Sequence, residues 1–364
     1  MSRVRSENKL RVVCAMSGGV DSAVSAALLV KSGFEVIGVF MKFWADKADS
    51  GACLPQNRCC SGESEQRARK TALQLGIPFY VLDIRDEFKK LVVDRFIADS
   101  KKGLTPNPCV VCNREIKFGL LIEKALGMGA DYVATGHYCR TQKTKDGTYK
   151  LLKGRDKAKD QSYFLWRLGQ AQLKRIIFPV GDFEKSEVRI LAKKWRLPSA
   201  ATPESQEVCF ANGDMDKFLE KYCGTDPGNI VDVKGNVIGR HNGLWFHTIG
   251  QRKGIKLSGG PYYVVKKDII KNELVVGPVL KKTQGYKAEI ECVQWVSGRE
   301  PALPLKIKSR MRYRANEAGA ILKKNEPGRR LEFVKPQFAA APGQSTVFYK
   351  GSEVLGGGIV KLIL

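Results

Sequence analysis

A chain of 364 residues, 43% of them hydrophobic, is long enough for two or three domains with separate cores. Its 62 Lys and Arg against 37 Asp and Glu leave a net charge of +25, which favours a polyanionic partner. Ten cysteines are too few for a disulfide scaffold, no apolar run reaches membrane-span length, and the polar opening MSRVRSENKL is neither a signal peptide nor a transit helix, so a cytoplasmic chain with reduced thiols is expected.

The first element is the one on which the rest is organised. In RVVCAMSGGVDSAVSAALLVKS the apolar run Val12 to Met16 reads as a buried parallel strand, and it breaks at Ser17, Gly18 and Gly19. A periodic helix then runs from Asp21 to Lys31, with Gly33 as its C-terminal cap. Two glycines between a strand and a helix let backbone N–H groups point outward beside a positive helix end, an anion cradle. Ser17 and Ser22 add hydroxyls, and Asp21 suits a magnesium ion shared with phosphates. GxxxxGK[ST] is absent, so this is not a Walker A loop.

Further along, Glu35 to Met41 is a second strand, followed by a loop with Cys53, Cys59 and Cys60 that ends near Gly62. The pattern then predicts a helix over 64–75, a strand over 78–83, helices over 86–101 and 113–126, and a strand over 132–135. Strands alternating with helices imply an α/β fold with a doubly wound, mostly parallel sheet. Ligands of such sheets sit beyond the carboxyl ends of the strands, where both SGGVDS and the ATGH of Ala134 to His137 fall. A hairpin is expected over 138–152, then helices over 161–175 and 185–195. From Phe210 the texture turns to short strands, and from Lys287 nearly everything alternates, which predicts a small C-terminal β-barrel. The expected division is 1–210, 211–285 and 286–364, with no linker between units.

Thr105 to Asn113 (TPNPCVVCN) places Cys109 and Cys112 in a CxxC just before a helix, with Pro106 and Pro108 keeping the approach extended. A helix N-terminus favours a thiolate, which makes Cys112 a candidate nucleophile. Cys209 is a third thiol, far along the chain, and sequence does not show that it meets Cys112. A zinc site would want four ligands, and only one CxxC exists; the irregular Cys53, Cys59 and Cys60 read either as a metal cluster or as a surface loop.

SGGVDS directly after a strand resembles the pyrophosphate loop of ATP pyrophosphatases, which split ATP into AMP and pyrophosphate while adenylating an oxygen. Over nearly its whole length the chain resembles the tRNA-specific 2-thiouridylases. The matching segments are SGGVDS, NPxxxCN at Asn107, ATGH, KDQSY at Lys159, SQEVCF at Ser205, GRHNGLWFHTIGQRKG at Gly239, PGQS at Pro342 and the GGG at Gly356. The resemblance implies an adenine nucleotide alpha hydrolase-like domain, a small central domain and a barrel. It also implies ATP-dependent replacement of the C2 oxygen of the tRNA wobble uridine by sulfur.

Carried over by position, ATP with Mg2+ would lie on Ala15, Met16, Ser17, Gly18, Gly19, Val20, Asp21 and Ser22, with Met41 and Gly136 at the adenosine. Cys112 resembles the nucleophile and Cys209 the residue bearing the persulfide; a disulfide between them would be reduced before the next turnover. Asn107, Pro108 and Cys109 would contact the extruded base, while His137, Lys159, Asp160, Gln161, Arg312, Tyr313 and Gln344 would hold the tRNA. Each has a plain alternative, such as a strand-end hydrogen bond for His137 or a solvated strand face for Arg312 and Tyr313. The basic run Gln251 to Lys256 is a further phosphate candidate, with a solvated loop as its plain alternative. The partners implied are the anticodon loop and a cysteine desulfurase or sulfur-relay protein as donor, with a monomeric enzyme and no membrane. The chain departs from well-known members at Cys109, where they carry Asp; Cys109, Cys112 and Cys209 together suggest a [4Fe–4S] cluster with one open iron as a second reading. The rival functions are another adenylating tRNA-modifying enzyme, of the lysidine-forming ligase type, and a non-catalytic tRNA-binding sulfur carrier.

Overall fold

The computed structural model describes residues 9–46, 61–203, 208–211, 214–278, 284–338 and 341–364. Cys53, Cys59 and Cys60, and Ser205 of the SQEVCF segment, lie outside the described residues. β1 (Arg11–Ala15), β2 (Glu35–Lys42), β3 (Phe79–Asp83) and β4 (Tyr132–Ala134) are followed by the hairpin β5 (Cys139–Lys143) and β6 (Tyr149–Lys153) and by the short β7 (Ile176–Ile177). The order β3-β2-β1-β4-β7 makes a parallel sheet. β1 and β2 read as unbroken apolar runs because both sheet faces are covered. Val13, Ile37, Val39 and Met41 pack with residues of the helical segments 85–101 and 108–127, including Phe88, Val92, Ile116 and Leu121. Val12, Cys14, Val36 and Phe40 face the other way, onto Ala26 and Leu29 of α1 (Val20–Lys31) and Ala68 and Ala72 of α2 (Gly62–Gln74). Burial of each large apolar side chain contributes about 1.5–3 kcal/mol.

Two local expectations change. Residues 161–175 do not form one helix: a 3₁₀ turn at Ser162–Phe164 and a single turn at Gln170–Leu173 lead into β7. Tyr163, Leu165, Trp166 and Leu168 are all buried; they fall right round a helical wheel, so an amphipathic surface helix cannot hide them together. The CxxC, in turn, is not before a helix but forms its first turn. Helix starts at Pro108, where the missing N–H costs nothing, and the Cys112 amide already donates to carbonyls of Pro108 and Cys109.

Beyond the sheet, helix Met215–Cys223 is capped by the Asp214 side chain and leads to β8 (Gly228–Val231), β9 (Val237–His241), β10 (Tyr263–Asp268) and β11 (Glu273–Gly277). These form a sheet of order β10-β11-β8-β9 over a separate core of Ile230, Leu244, Val264, Leu274 and Val276. The last strands are β12 (Gln284–Trp295), β13 (Leu305–Arg310), β14 (Ala318–Asn325), β15 (Gly328–Phe338), β16 (Ser345–Lys350) and β17 (Glu353–Ile363). They run β12-β15-β14-β13-β16-β17, and β17 pairs back with β12, which closes the expected barrel. β6 adds to β17 through Leu151 and Leu152, so the β5–β6 hairpin splices the barrel to the parallel sheet. Among the described residues no helix is long and apolar enough to cross a membrane.

Candidate active site

β1 ends at Ala15, and the chain turns through Ser17, Gly18 and Gly19 into α1. Gly18 has φ +74°, and a Cβ there would lie 2.2 Å from the Ser64 carbonyl oxygen of α2, so backbone angle and crowding both demand glycine. Gly19 is the N-cap of α1 and offers no side chain to the first-turn N–H groups, which stay available to an anion. Ser17 N–H donates to Ser22 Oγ at 3.2 Å, and Ser22 Oγ donates to the Gly19 carbonyl at 3.0 Å, fixing the loop from within. Arg67 holds it from outside, with Nε on the Gly18 carbonyl at 3.3 Å and Nη2 on Ser64 Oγ at 2.8 Å. Gly136 of ATGH lies so close that a Cβ would sit 2.8 Å from the Asp21 carbonyl carbon and the Ser22 nitrogen.

Two cavities open from this loop. A pocket of about 210 Å³ at the carboxyl ends of β1, β2 and β4 is lined by Ala15, Met16, Ser22, Val39, Met41, Phe43 and Gly136, with Lys117, Thr135 and His137 at its polar side. A larger cleft of about 1100 Å³ is lined by Gly18, Gly19, Val20, Arg67, Tyr138, Lys157, Lys159, Asp160, Lys185, Arg310 and Tyr313. Ser17, Asp21 and Gln161 line both. The pair divides as a nucleotide does, an apolar-walled pocket for a base and a cationic cleft for phosphates.

Asp21 sits between them. Lys185 Nζ donates to both its oxygens, at 2.6 and 2.7 Å, and the Tyr138 hydroxyl donates to Oδ1 at 2.7 Å. Lys185 is the first residue of helix Lys185–Lys194, and its backbone N–H is held by Asp156 Oδ2 at 2.9 Å. The expected role of Asp21 as a ready magnesium ligand is therefore modified: its carboxylate is already neutralised by a lysine. Among the described residues no group of three His, Cys, Asp or Glu is disposed to hold a metal ion.

On the sulfur side, Cys112 is 8% exposed within the apolar cluster of Met41, Ile116 and Phe210, and Cys209 packs against that same cluster. The fold thus puts on one apolar cluster two thiols that sequence could not connect. Cys109 points to solvent instead. Among the described residues no group of three disposed to hold a metal ion includes Cys109, Cys112 and Cys209 together. Burial pushes the Cys14 thiol up to about 12 and raises Cys139 as well, with Asp160 adding to the latter, so neither is a nucleophile.

The remaining candidates fall in distinct places. Lys159, Asp160, Gln161 and Tyr313 line the cleft and His137 the smaller pocket, whereas Asn107, Pro108, Cys109, Arg312 and Gln344 line neither. Asp160 is buried and committed to the protein: it accepts from Gly154 N at 3.3 Å, Ser162 N at 3.1 Å, Ser162 Oγ at 3.0 Å and Arg310 Nη1 at 3.1 Å. Gln161 Oε1 accepts from Tyr138 N at 3.0 Å, and Arg312 Nη2 donates to the Ile249 carbonyl at 2.7 Å, tying barrel to central sheet. Tyr313 packs on Phe164 with ring centroids 4.4 Å apart. His137 shares a 2.7 Å hydrogen bond with Thr135 Oγ1; burial, and then Lys117, lower its pKa well below the ordinary histidine value and keep the ring neutral. Thr105 N–H donates to the Pro342 carbonyl at 2.8 Å, which seats the PGQS turn bearing Gln344 against the Asn107 loop. Lys185, Tyr138, Arg67 and Arg310 are the site residues sequence reasoning missed. Tyr138, directly after ATGH, and Arg310, two residues before Arg312, had a signal beside them, whereas Arg67 and Lys185 had none.

Residues 10–213 match a family described as a tRNA methyl transferase HUP domain, 216–278 a tRNA methyl transferase PRC-barrel domain, and 287–360 an aminomethyltransferase beta-barrel domain. Full-length relatives carry a different activity in their names. The chain is 43% identical over 362 residues, covering 97% of itself and 100% of the relative, to the tRNA-specific 2-thiouridylase MnmA of Acetivibrio thermocellus. It is 46% identical over 352 residues, covering 95% and 97%, to the protein of that name from Chloroflexus aurantiacus. A third, from Moorella thermoacetica, is 44% identical over 357 residues, covering 96% and 99%.

Proposed function

The chain belongs to the tRNA-specific 2-thiouridylase family, and on that premise we propose how its own residues carry out ATP-dependent 2-thiolation of the wobble uridine of tRNA. The observation that carries the sulfur half is the gathering of Cys112 and Cys209 on one apolar cluster beside the strand that leads into SGGVDS. ATP lies across the two cavities, with its base against Met41 and Gly136 and its phosphates over Ser17 to Ser22. The uridine O2 attacks the α-phosphorus and pyrophosphate leaves, with the first turn of α1 stabilising the charge. The terminal sulfur of a persulfide on Cys209 then attacks C2, and AMP departs with the original oxygen. The Cys112 thiolate attacks Cys209 Sγ, the sulfur–sulfur bond breaks, and the sulfur stays on C2 while a Cys112–Cys209 disulfide forms. A two-electron thiol reductant restores both thiols.

Magnesium would accompany the nucleotide and neutralise phosphate charge, with Asp21, which Lys185 now holds, as the carboxylate beside the cradle that would help to hold it. No step is routed through an iron–sulfur cluster, since the persulfide route needs only Cys112 and Cys209. Asn107, Pro108 and Cys109 form the loop that receives the base, and Gln344 backs it from the barrel through the Thr105–Pro342 contact. The sulfur donor is a persulfide-bearing protein of the cysteine desulfurase or relay class, and the enzyme works in the cytoplasm as a monomer.

The test is thiolation of an unmodified tRNA transcript with ATP and a persulfide donor, read by retardation in a mercury-containing gel. Cys112→Ser and Cys209→Ser abolish the shifted band while pyrophosphate is still released. A band of wild-type intensity from either variant overturns the mechanism, and pyrophosphate release with no shifted band from the wild-type protein favours a lysidine-type ligase instead.

A further inference from the structure

Behind the nucleotide cleft, where the β5–β6 hairpin joins the barrel, lies a second crevice of about 610 Å³. Six cationic side chains line it: Arg140, Lys153, Arg155, Lys157, Lys308 and Arg310. Only two carboxylates do, Asp160 and Glu317. Both are already committed, Asp160 to Arg310 and two backbone N–H groups, and Glu317 to Arg310 at 2.9 Å and Lys153 at 2.5 Å. Arg140 and Arg155 also reach the exposed carboxylates of Asp182 at 3.5 Å and Glu187 at 3.3 Å outside the crevice, so the crevice itself keeps more cations than carboxylates.

The geometry is built rather than incidental. Lys308 and Arg310 stand two apart on β13, on the face opposite the buried Ile307 and Ser309, with Lys308 exposed and Arg310 only 14% exposed. The Tyr349 ring lies under Lys153 at 4.4 Å and under Arg310 at 5.2 Å, holding the two cations side by side. Arg310 Nε is buried with no hydrogen-bond partner among the described residues. Lys308 has no ion pair among the described residues. Lys157, Asp160, Arg310 and Glu317 line the main cleft as well, so the crevice continues the cleft away from SGGVDS.

We propose that this crevice seats backbone phosphates of the tRNA substrate, beyond the nucleotide being modified, and sets the register of the anticodon arm on the enzyme. No aromatic ring lines the crevice itself to stack a base, which argues against a second nucleotide. Exposed Arg155, Lys157 and Lys308 beside the held Lys153 and Arg310 make a cationic track that suits a phosphodiester chain, whose contacts position without reading sequence. The inference rests on the tRNA reading of the cleft.

The test is the salt dependence of tRNA binding, measured by fluorescence anisotropy on the full-length protein. Lys308→Ala/Arg155→Ala removes two cations at exposed positions, and the slope of log K against log salt should become shallower by about 2. The matched control Lys70→Ala/Lys193→Ala, on exposed positions of other helices, should leave the slope as in wild type. Lys308→Glu alone should weaken binding in the same direction as the double variant. An unchanged slope in the Lys308/Arg155 variant overturns the proposal, as does an equal change in the control. A variant that loses inhibition by inorganic pyrophosphate but keeps its tRNA slope also overturns it, in favour of a small-anion seat. A wild-type protein that binds no tRNA would instead sink the functional reading itself.

Discussion

Replacing Lys185 by methionine isolates what neutralises Asp21 in the phosphate cleft. The Lys185 side chain is 9% exposed and Asp21 is 31% exposed, with Nζ 2.6 Å from the nearer oxygen. Removing one partner of a fully buried pair costs about 3–5 kcal/mol, and the partial exposure of Asp21 brings this to about 1–2 kcal/mol. Tyr138 then remains on the carboxylate, through its 2.7 Å hydrogen bond. Lys185→Met should lower the melting temperature of the sheet domain by roughly 2–8 °C. The larger effect falls on ATP, because an uncompensated carboxylate confronts incoming phosphates at the mouth of the cradle. A repulsion of the same 1–2 kcal/mol predicts a KM for ATP raised about 5- to 30-fold. Lys185→Arg should keep most of the affinity, and Asp21→Asn/Lys185→Met should recover stability but not turnover. Pyrophosphate release against ATP concentration, together with calorimetry, reads both effects. Wild-type ATP dependence in Lys185→Met would refute the view that this lysine conditions the cradle.

Gly18→Ala should cost on the order of 2 kcal/mol or more and abolish pyrophosphate release, since the added Cβ meets the Ser64 carbonyl at 2.2 Å in a left-handed backbone; full activity would show that the loop can open. Asp160→Ala leaves Arg310 with only Glu317 and strips three further hydrogen bonds, so a loss on the order of 3 kcal/mol in chemical denaturation is expected, with Asp160→Asn milder. Lys267 Nζ donates to the Gly103 carbonyl at 3.0 Å, and burial lowers its pKa to about 8 from an ordinary 10.5. A base depressed in the folded state binds fewer protons than the unfolded chain, so stability contributed by Lys267 rises as pH climbs from about 8 to about 10.5. Lys267→Met should remove that rise in denaturation curves taken across the window.

Much of this site was readable from local pattern. The residues Ala15 to Ser22, and with them Met41 and Gly136 carried over by resemblance, all line at least one of the two cavities. The shape of the loop has a local cause: glycine-permitted backbone angles and a helix N-terminus are set by residues adjacent in the chain. The helix start at Pro108 and the broken stretch 161–175 were less legible. A proline can open a helix or precede one, and an apolar run buried on every side shows no period.

What the sequence alone determined was therefore the type of chemistry: a phosphate cradle after β1, two candidate thiols, an alternating barrel and a strongly cationic chain. Tertiary structure decided which groups act on one another. It set Cys209 against the cluster that holds Cys112, gave Asp21 to Lys185 and Tyr138, and left Cys109 exposed while burying Cys112. It also laid the hairpin on the barrel to form the basic crevice. The physical reason is that a charge or thiol takes its behaviour from burial and from neighbours distant in sequence. No periodicity encodes those neighbours, and only the packed fold supplies them.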